Sequence, residues 1–172
     1  MVLLSGLLGA LIGASITLVF NMWKFHRDEL TSRCDELCRA IWDASVHAAD
    51  YWATDFNKTG SRQALAEARL LALQTHIDGI FGDFRPFLSE ANEIEIDAQL
   101  SDLLDVLTGG LYSVPCRKID LARATRAAPL AGDLSVKIRR AHRESMPFYK
   151  LRLSFHENKR RKLDMPLGWE QQ

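Results

Sequence analysis

The hydrophobic pattern divides the chain into an uncharged first segment and a longer part in which apolar residues recur at helical spacing. Residues 2–23 contain no charged side chain. As a helix rising about 1.5 Å per residue, they would cover the roughly 30 Å hydrocarbon core of a bilayer. A secretory signal usually has a basic start and a shorter apolar run. We therefore expect residues 1–23 to form a permanent transmembrane anchor.

The charges that flank this segment predict its orientation. Lys24 and Arg27 follow the apolar run directly, whereas the other side offers only the terminal amine. The positive-inside rule then places the later residues in the cytoplasm. We expect a single-pass protein of the cell inner membrane, with its N-terminus outside and its C-terminal domain cytoplasmic. In that compartment the three cysteines would be free thiols.

Small residues recur every four positions within the uncharged segment. This spacing places them along one flank of a helix, where they would let a second helix approach closely. The pattern predicts self-association, or pairing with a partner's helix, and bare anchoring is the alternative. The residues are Ser5, Gly9, Gly13 and Thr17.

Beyond residue 23 the pattern predicts an all-α domain at residues 24–163, a bundle of about four to six helices, followed by a tail at 164–172. Apolar positions four and three apart form a coiled-coil-like seam on the first of these helices. No Gly or Pro interrupts residues 14–56, so we expect one continuous rod. The seam comprises Leu30, Cys34, Leu37, Ile41, Ala44, Ala48 and Tyr51, and a second stripe beside it comprises Cys38, Trp42, Ser45, Ala49 and Trp52.

Turn residues at 57–61 predict a reversal into a second helix, whose apolar side ends near Pro86. A third helix is expected from about Asn92, as its N-cap, to Thr108. Prolines divide the remainder into helical pieces near 114–127, 133–145 and 147–162, and Pro129 and Pro147 could each kink a helix or separate two helices. The expected buried positions are Leu70, Leu73, Ile77, Ile80 and Phe84 on the second helix, and Ile96, Leu100, Leu103, Leu104 and Leu107 on the third.

A zero net charge conceals an uneven distribution along the chain. Residues 1–116 hold 8 basic and 16 acidic side chains, whereas residues 117–163 hold 14 basic and 4 acidic ones. We expect the basic C-terminal helices to lie against the acidic third helix. Exposed ion pairs contribute only about 0 to 1 kcal/mol each, so this attraction would orient the packing rather than hold it together.

Candidate chemistry is sparse in this sequence. Asp43, His47 and Asp50 share one helix face and are weak candidates for a metal site, although a solvated polar face explains them better. Cys34 and Cys38 lie one turn apart, but structural zinc normally needs four ligands, so we interpret them as core residues. The sequence has no Gly-rich phosphate loop or nucleophile elbow. We predict no cofactor and assign no catalytic residue.

A basic cluster near the C-terminus is the remaining candidate for binding. Lys159, Arg160, Arg161 and Lys162 could contact anionic lipid or, as a weaker alternative, nucleic acid. A solvated helix end explains the same residues without a ligand.

Taken together, these features predict a non-enzymatic interaction protein. It would assemble as a homo-oligomer or with a protein partner through its uncharged helix, and would present the bundle to a cytoplasmic partner. The layout, although no motif, is similar to that of small single-anchor proteins of bacterial defence and signalling systems. Two alternatives stay open: a membrane-tethered enzyme with a carboxylate and His site on a helix face, and a membrane-disrupting effector.

Overall fold

The computed structural model describes residues 2–56, 60–115 and 117–146, except for the side chains of residues 2–5, 7 and 8. Within these residues the protein is all-helical. Its elements are α1 (Val2–Ala53), α2 (Gly60–Phe84), a short 3₁₀-helix (Arg85–Phe87), α3 (Glu90–Thr108) and α4 (Leu121–Ser145). The second half of α1 packs against α2 and α4, and α3 packs against α4.

Helix α1 is one uninterrupted element of 52 residues, so the prediction of a continuous rod is confirmed. At about 1.5 Å per residue it is roughly 78 Å long. The seam is confirmed as well: Leu30 is half-buried and the six later positions, from Cys34 to Tyr51, are buried. The second stripe is wrong at Trp42, which is 51% exposed. The buried face of α1 is therefore narrower than the sequence suggested.

The first half of α1 overturns the prediction about membranes. Among the described residues, no helix combines the length and the apolar character that crossing a bilayer requires. The single-pass anchor at residues 1–23, and the inner-membrane location with a cytoplasmic domain that depended on it, are therefore wrong. Small and polar residues such as Gly13, Ser15 and Asn21 lie among the apolar residues of this segment.

The reversal predicted at 57–61 falls partly outside the described residues, and α2 begins at Gly60. The predicted apolar side of α2 is confirmed, because Leu70, Ile77, Ile80 and Phe84 are buried and Leu73 is partly buried against the core. The helix ends where Pro86 enters the 3₁₀-helix. Proline lacks the N–H that a continuing α-helix would need.

Helix α3 begins slightly earlier than predicted. Ser89 is the N-cap and accepts a hydrogen bond from the backbone N–H of Asn92 at 3.4 Å, so Asn92 itself is not the cap. The end at Thr108 is confirmed, and Gly110 follows with a φ of 65°. That left-handed conformation favours glycine, and an added Cβ would also lie 2.6 Å from the Arg123 guanidinium. The predicted face is buried, apart from the half-buried Leu104.

Helix α4 is continuous through Pro129, so of the two alternatives left open there, separation into two helices at 127 and 133 is wrong. Asp120 caps the helix by accepting from the Arg123 N–H at 3.0 Å. One face remains buried on both sides of the proline, and its packing offsets the single backbone hydrogen bond that proline cannot donate. This face contains Ala124, Ala127, Ala131, Leu134, Ile138 and Ala141. The piece predicted at 147–162 lies outside the described residues.

The expected contact between acidic and basic helices is present. Lys137 of α4 forms an ion pair with Glu95 of α3, and the Arg123 guanidinium lies 3.7 Å from the Asp105 carboxylate. Asn92 of α3 also donates to Glu144 of α4 at 3.1 Å. These groups lie at the surface, so they orient α3 on α4 more than they stabilise it.

Candidate functional site

The feature that separates this chain from an ordinary helical bundle is the N-terminal part of α1, residues 9–23, which we name the arm. Its large apolar side chains are exposed on every side of the helix. Among the described residues, packing of α1 onto other elements begins further along, where His26 meets the Phe87 ring at 5.5 Å and Thr31 approaches His142 at 3.3 Å. The exposed arm residues are Leu11, Ile12, Ile16, Leu18, Val19, Phe20, Met22 and Trp23.

The two hydroxyl groups of the arm form hydrogen bonds within the helix, so they need no water molecule as a partner. Ser15 Oγ donates to the Leu11 carbonyl and Thr17 Oγ1 donates to the Gly13 carbonyl, each at 2.8 Å. A buried hydroxyl without a partner is costly, whereas these two bring their own acceptors. The arm can therefore be covered by apolar surface without leaving either hydroxyl unsatisfied.

The small residues predicted to form a packing flank lie on this exposed surface. Gly9, Gly13 and Thr17 are exposed on the arm, and the Ser5 side chain lies outside the described residues. A Cβ added at Gly9 or Gly13 would meet nothing within 4 Å. Glycine in an exposed helix costs about 1 kcal/mol relative to alanine. Contacts among the described residues thus give no reason for glycine at either position.

The weak metal candidates lie elsewhere on α1 and are all exposed. His47 and Asp50 line a small cleft of about 180 Å³ together with Arg62 and Arg69 of α2, whereas Asp43 does not line it. In the described parts of the chain no three His, Cys, Asp or Glu side chains are grouped closely enough to hold a metal ion. The lining of the cleft is mixed, because Tyr51, Phe56 and Leu65 accompany these charged groups.

A buried arginine that the sequence analysis missed closes the C-terminal end of α1. Arg117 is only 2% exposed, and its guanidinium donates to the carbonyls of Tyr51, Trp52 and Thr54. It also lies 4.3 Å from the Tyr51 ring centre and 4.6 Å from that of Trp52. A cation at a helix C-terminus interacts favourably with the helix dipole. Arg117 therefore stabilises the C-terminal end of α1. It lies in a loop, where no periodic pattern of the sequence could have identified it.

A second polar cluster joins α1, α2 and the loop after α3. The Glu67 carboxylate accepts hydrogen bonds from Tyr51 Oη at 3.0 Å, Gln63 Nε2 at 2.8 Å and Ser113 Oγ at 3.1 Å. Tyr112 Oη donates to the Glu67 backbone carbonyl at 2.7 Å. Burial raises the pKa of Tyr112 to about 12, so this phenol stays protonated and keeps donating. These hydrogen bonds connect protein groups to one another and explain the packing of the loop.

Cys34 and Cys38 are buried on the side of α1 that faces α4, as the core interpretation predicted. Cys38 Sγ donates to the Ser135 carbonyl at 3.7 Å. A hydrogen bond from the Cys34 thiol, together with the nearby Arg139 guanidinium, lowers the pKa of Cys38 to about 7. The same thiol pairing, with burial, raises the pKa of Cys34. The two sulfurs therefore form one interacting pair.

The basic cluster Lys159, Arg160, Arg161 and Lys162 lies outside the described residues, so contact with lipid or nucleic acid stays a prediction. Comparisons of the chain with protein-family models, with curated proteins and with solved structures give no match.

Proposed function

We propose that this protein is a helical interaction protein that assembles by packing its arm against the arm of a second copy. The observation that carries this proposal is the arm itself: an exposed, uncharged helical segment with glycines along one flank. A contiguous apolar surface that extends along a whole helical segment of a monomer usually marks an interaction site. The bundle formed by the rest of α1 with α2, α3 and α4 would then be held at the end of the paired helices.

The fact that the arm is helical supports the proposal that it packs against a partner. Isolated helices are marginal in water, and most helical stability in proteins comes from packing of an apolar face. The arm is helical yet has no described packing partner within the chain over residues 9–23. A second helix alongside it would supply the missing packing.

The chemistry of the arm favours a second copy as that partner. Two identical uncharged surfaces approach without like-charge repulsion, and a two-fold pair needs a surface that is complementary to itself. Gly9 and Gly13 would let the two backbones come close, while Ile12 and Ile16 beside them would fill the space around the contact. The hydroxyls of Ser15 and Thr17 would enter this interface already hydrogen-bonded.

Sedimentation velocity of the full chain over a range of concentrations tests the proposal. We expect the wild type to form dimers or larger assemblies, and Gly13→Ile to weaken association at least about tenfold, which corresponds to about 1.4 kcal/mol. Gly79→Ile is the matched control, because Gly79 is an exposed helical glycine of α2 that also has nothing within 4 Å.

A wild type that stays monomeric throughout the range would contradict the proposal. So would association of Gly13→Ile with wild-type strength. Equal weakening by Gly79→Ile would show that loss of a helical glycine, rather than contact at the arm, caused the effect.

A further inference from the structure

Cys34 and Cys38 are buried between α1 and α4, and their arrangement allows a function besides packing in the core. Cys34 and Cys38 lie one helical turn apart on the same face, and both side chains are nearly fully buried. Arg139 of α4 lies beside them, with its guanidinium 3.2 Å from the Asp35 carboxylate. The site thus combines two thiols with an adjacent fixed cation.

A disulfide does not fit this arrangement. Residues four apart on a helix have Cβ atoms about 5 to 6 Å apart, whereas a disulfide needs about 3.5 to 4.5 Å. An ion between the sulfurs removes the mismatch, because two metal–sulfur bonds of about 2.3 Å separate the sulfurs by roughly 4.6 Å. The helix can therefore stay intact with an ion bound but not with a disulfide.

We propose that Cys34 and Cys38 form a two-coordinate site for a soft monovalent d¹⁰ cation of the Cu⁺ class. Each thiol would lose its proton to solvent and each sulfur would form one bond to the ion, with no electron transferred. Soft thiolates select such ions. Two thiolates and one monovalent cation leave one net negative charge, which the Arg139 guanidinium beside the sulfurs offsets in part, because Asp35 shares the same cation. More than half of the Arg139 side chain is exposed. An ion would therefore reach the sulfurs from the side of the site on which Arg139 lies.

The test uses Ag⁺ as a probe, since it has the same coordination preference and needs no reductant. The parent protein is the full chain carrying Cys116→Ser, which removes the only other cysteine. We expect native mass spectrometry to find one Ag⁺ per chain, and we expect Cys34→Ser or Cys38→Ser to abolish it. Arg139→Gln should weaken binding about tenfold or more, as is usual for a group that supports metal ligands, and Arg139→Lys should restore most of it.

Thermal unfolding with and without Ag⁺ separates a folded site from two reactive thiols. A preformed site binds the native state better than the unfolded chain, so Ag⁺ should raise the unfolding temperature of the parent. Circular dichroism checks that each serine variant keeps its helices. Absence of Ag⁺ from the parent, wild-type binding by either serine variant, or a lowered unfolding temperature would each overturn the proposal.

This site is independent of assembly through the arm. The arm variant Gly13→Ile should bind one Ag⁺ per chain as tightly as the parent. Loss of Ag⁺ binding in that variant would contradict the two-thiol site within a single chain.

Discussion

The two halves of α1 are parts of one helix and yet behave as different kinds of surface. In the second half, seam positions such as Leu37 and Ile41 are buried, and charged residues such as Asp35 and Asp43 occupy the exposed side. The arm has large apolar side chains on every side and no charge. A helix that is apolar all round is normally buried. The bundle therefore buries one face of the second half of α1, whereas the described parts of the chain leave the arm uncovered.

The largest expected difference between the two halves concerns stability. Leu37→Ala should lower the free energy of unfolding by about 2 to 5 kcal/mol, because Leu37 is fully buried against the bundle. Ile16→Ala in the arm should change it by less than about 0.5 kcal/mol at concentrations where the protein is monomeric. Urea unfolding followed by circular dichroism measures both values. Equal effects would mean that the arm belongs to the core.

A smaller effect is expected at the end of α1, where Arg117 holds the last carbonyls of the helix. Arg117→Gln should destabilise the protein by about 1.5 to 3 kcal/mol, the range for hydrogen bonds that involve a charged group. Arg140→Gln is the control, since its side chain is 73% exposed. The same unfolding experiment applies. A loss below about 0.5 kcal/mol for Arg117→Gln would show that this buried cation does not stabilise the end of α1.

The third prediction concerns pH at the place where α1 enters the bundle. Burial against Thr31 and Phe84 lowers the pKa of His142, although the Asp35 carboxylate opposes part of that shift. The folded protein then binds this proton less readily than the unfolded chain does. The contribution of His142 to stability is therefore complete above the unfolded pKa of about 6.5, and is lost as the pH falls toward the lower folded value.

Unfolding temperatures near pH 7.5 and pH 5.5 measure this effect. His142→Gln should lose part of the wild-type decrease on acidification, whereas His47→Gln, at an exposed histidine, should keep all of it. An unchanged decrease in His142→Gln would exclude His142 as the source.

The sequence could predict those parts of the fold in which periodic burial decides the structure. The seam of α1 and the apolar sides of α2 and α3 follow directly from helical spacing. The sequence left the continuity of α4 at Pro129 open, because proline is a local signal, whereas the buried face of α4 on both sides of it depends on α1. Trp42 was assigned to the core because spacing alone does not tell how wide the buried face is.

The candidate surfaces were predictable to different degrees. The small-residue flank of the arm was visible in the sequence, but its setting was predicted to be a bilayer, because an uncharged run of this length is typical of a membrane span. The pairing of Cys34 with Cys38 follows from their spacing. The nearby Arg139 does not, because it comes from a helix about 100 residues later in the chain. Contacts of that kind depend on tertiary packing, which a single sequence does not show.

Amide hydrogen exchange measured at several protein concentrations tests the central claim most directly, because it examines both halves of α1 in one sample. Exchange in the second half, residues 30–53, should be slow at every concentration, since the bundle protects it. Exchange in the arm should be fast in dilute solution and should slow as the concentration rises, and Gly13→Ile should remove this dependence. Protection of the arm that does not change with concentration would contradict assembly through paired arms.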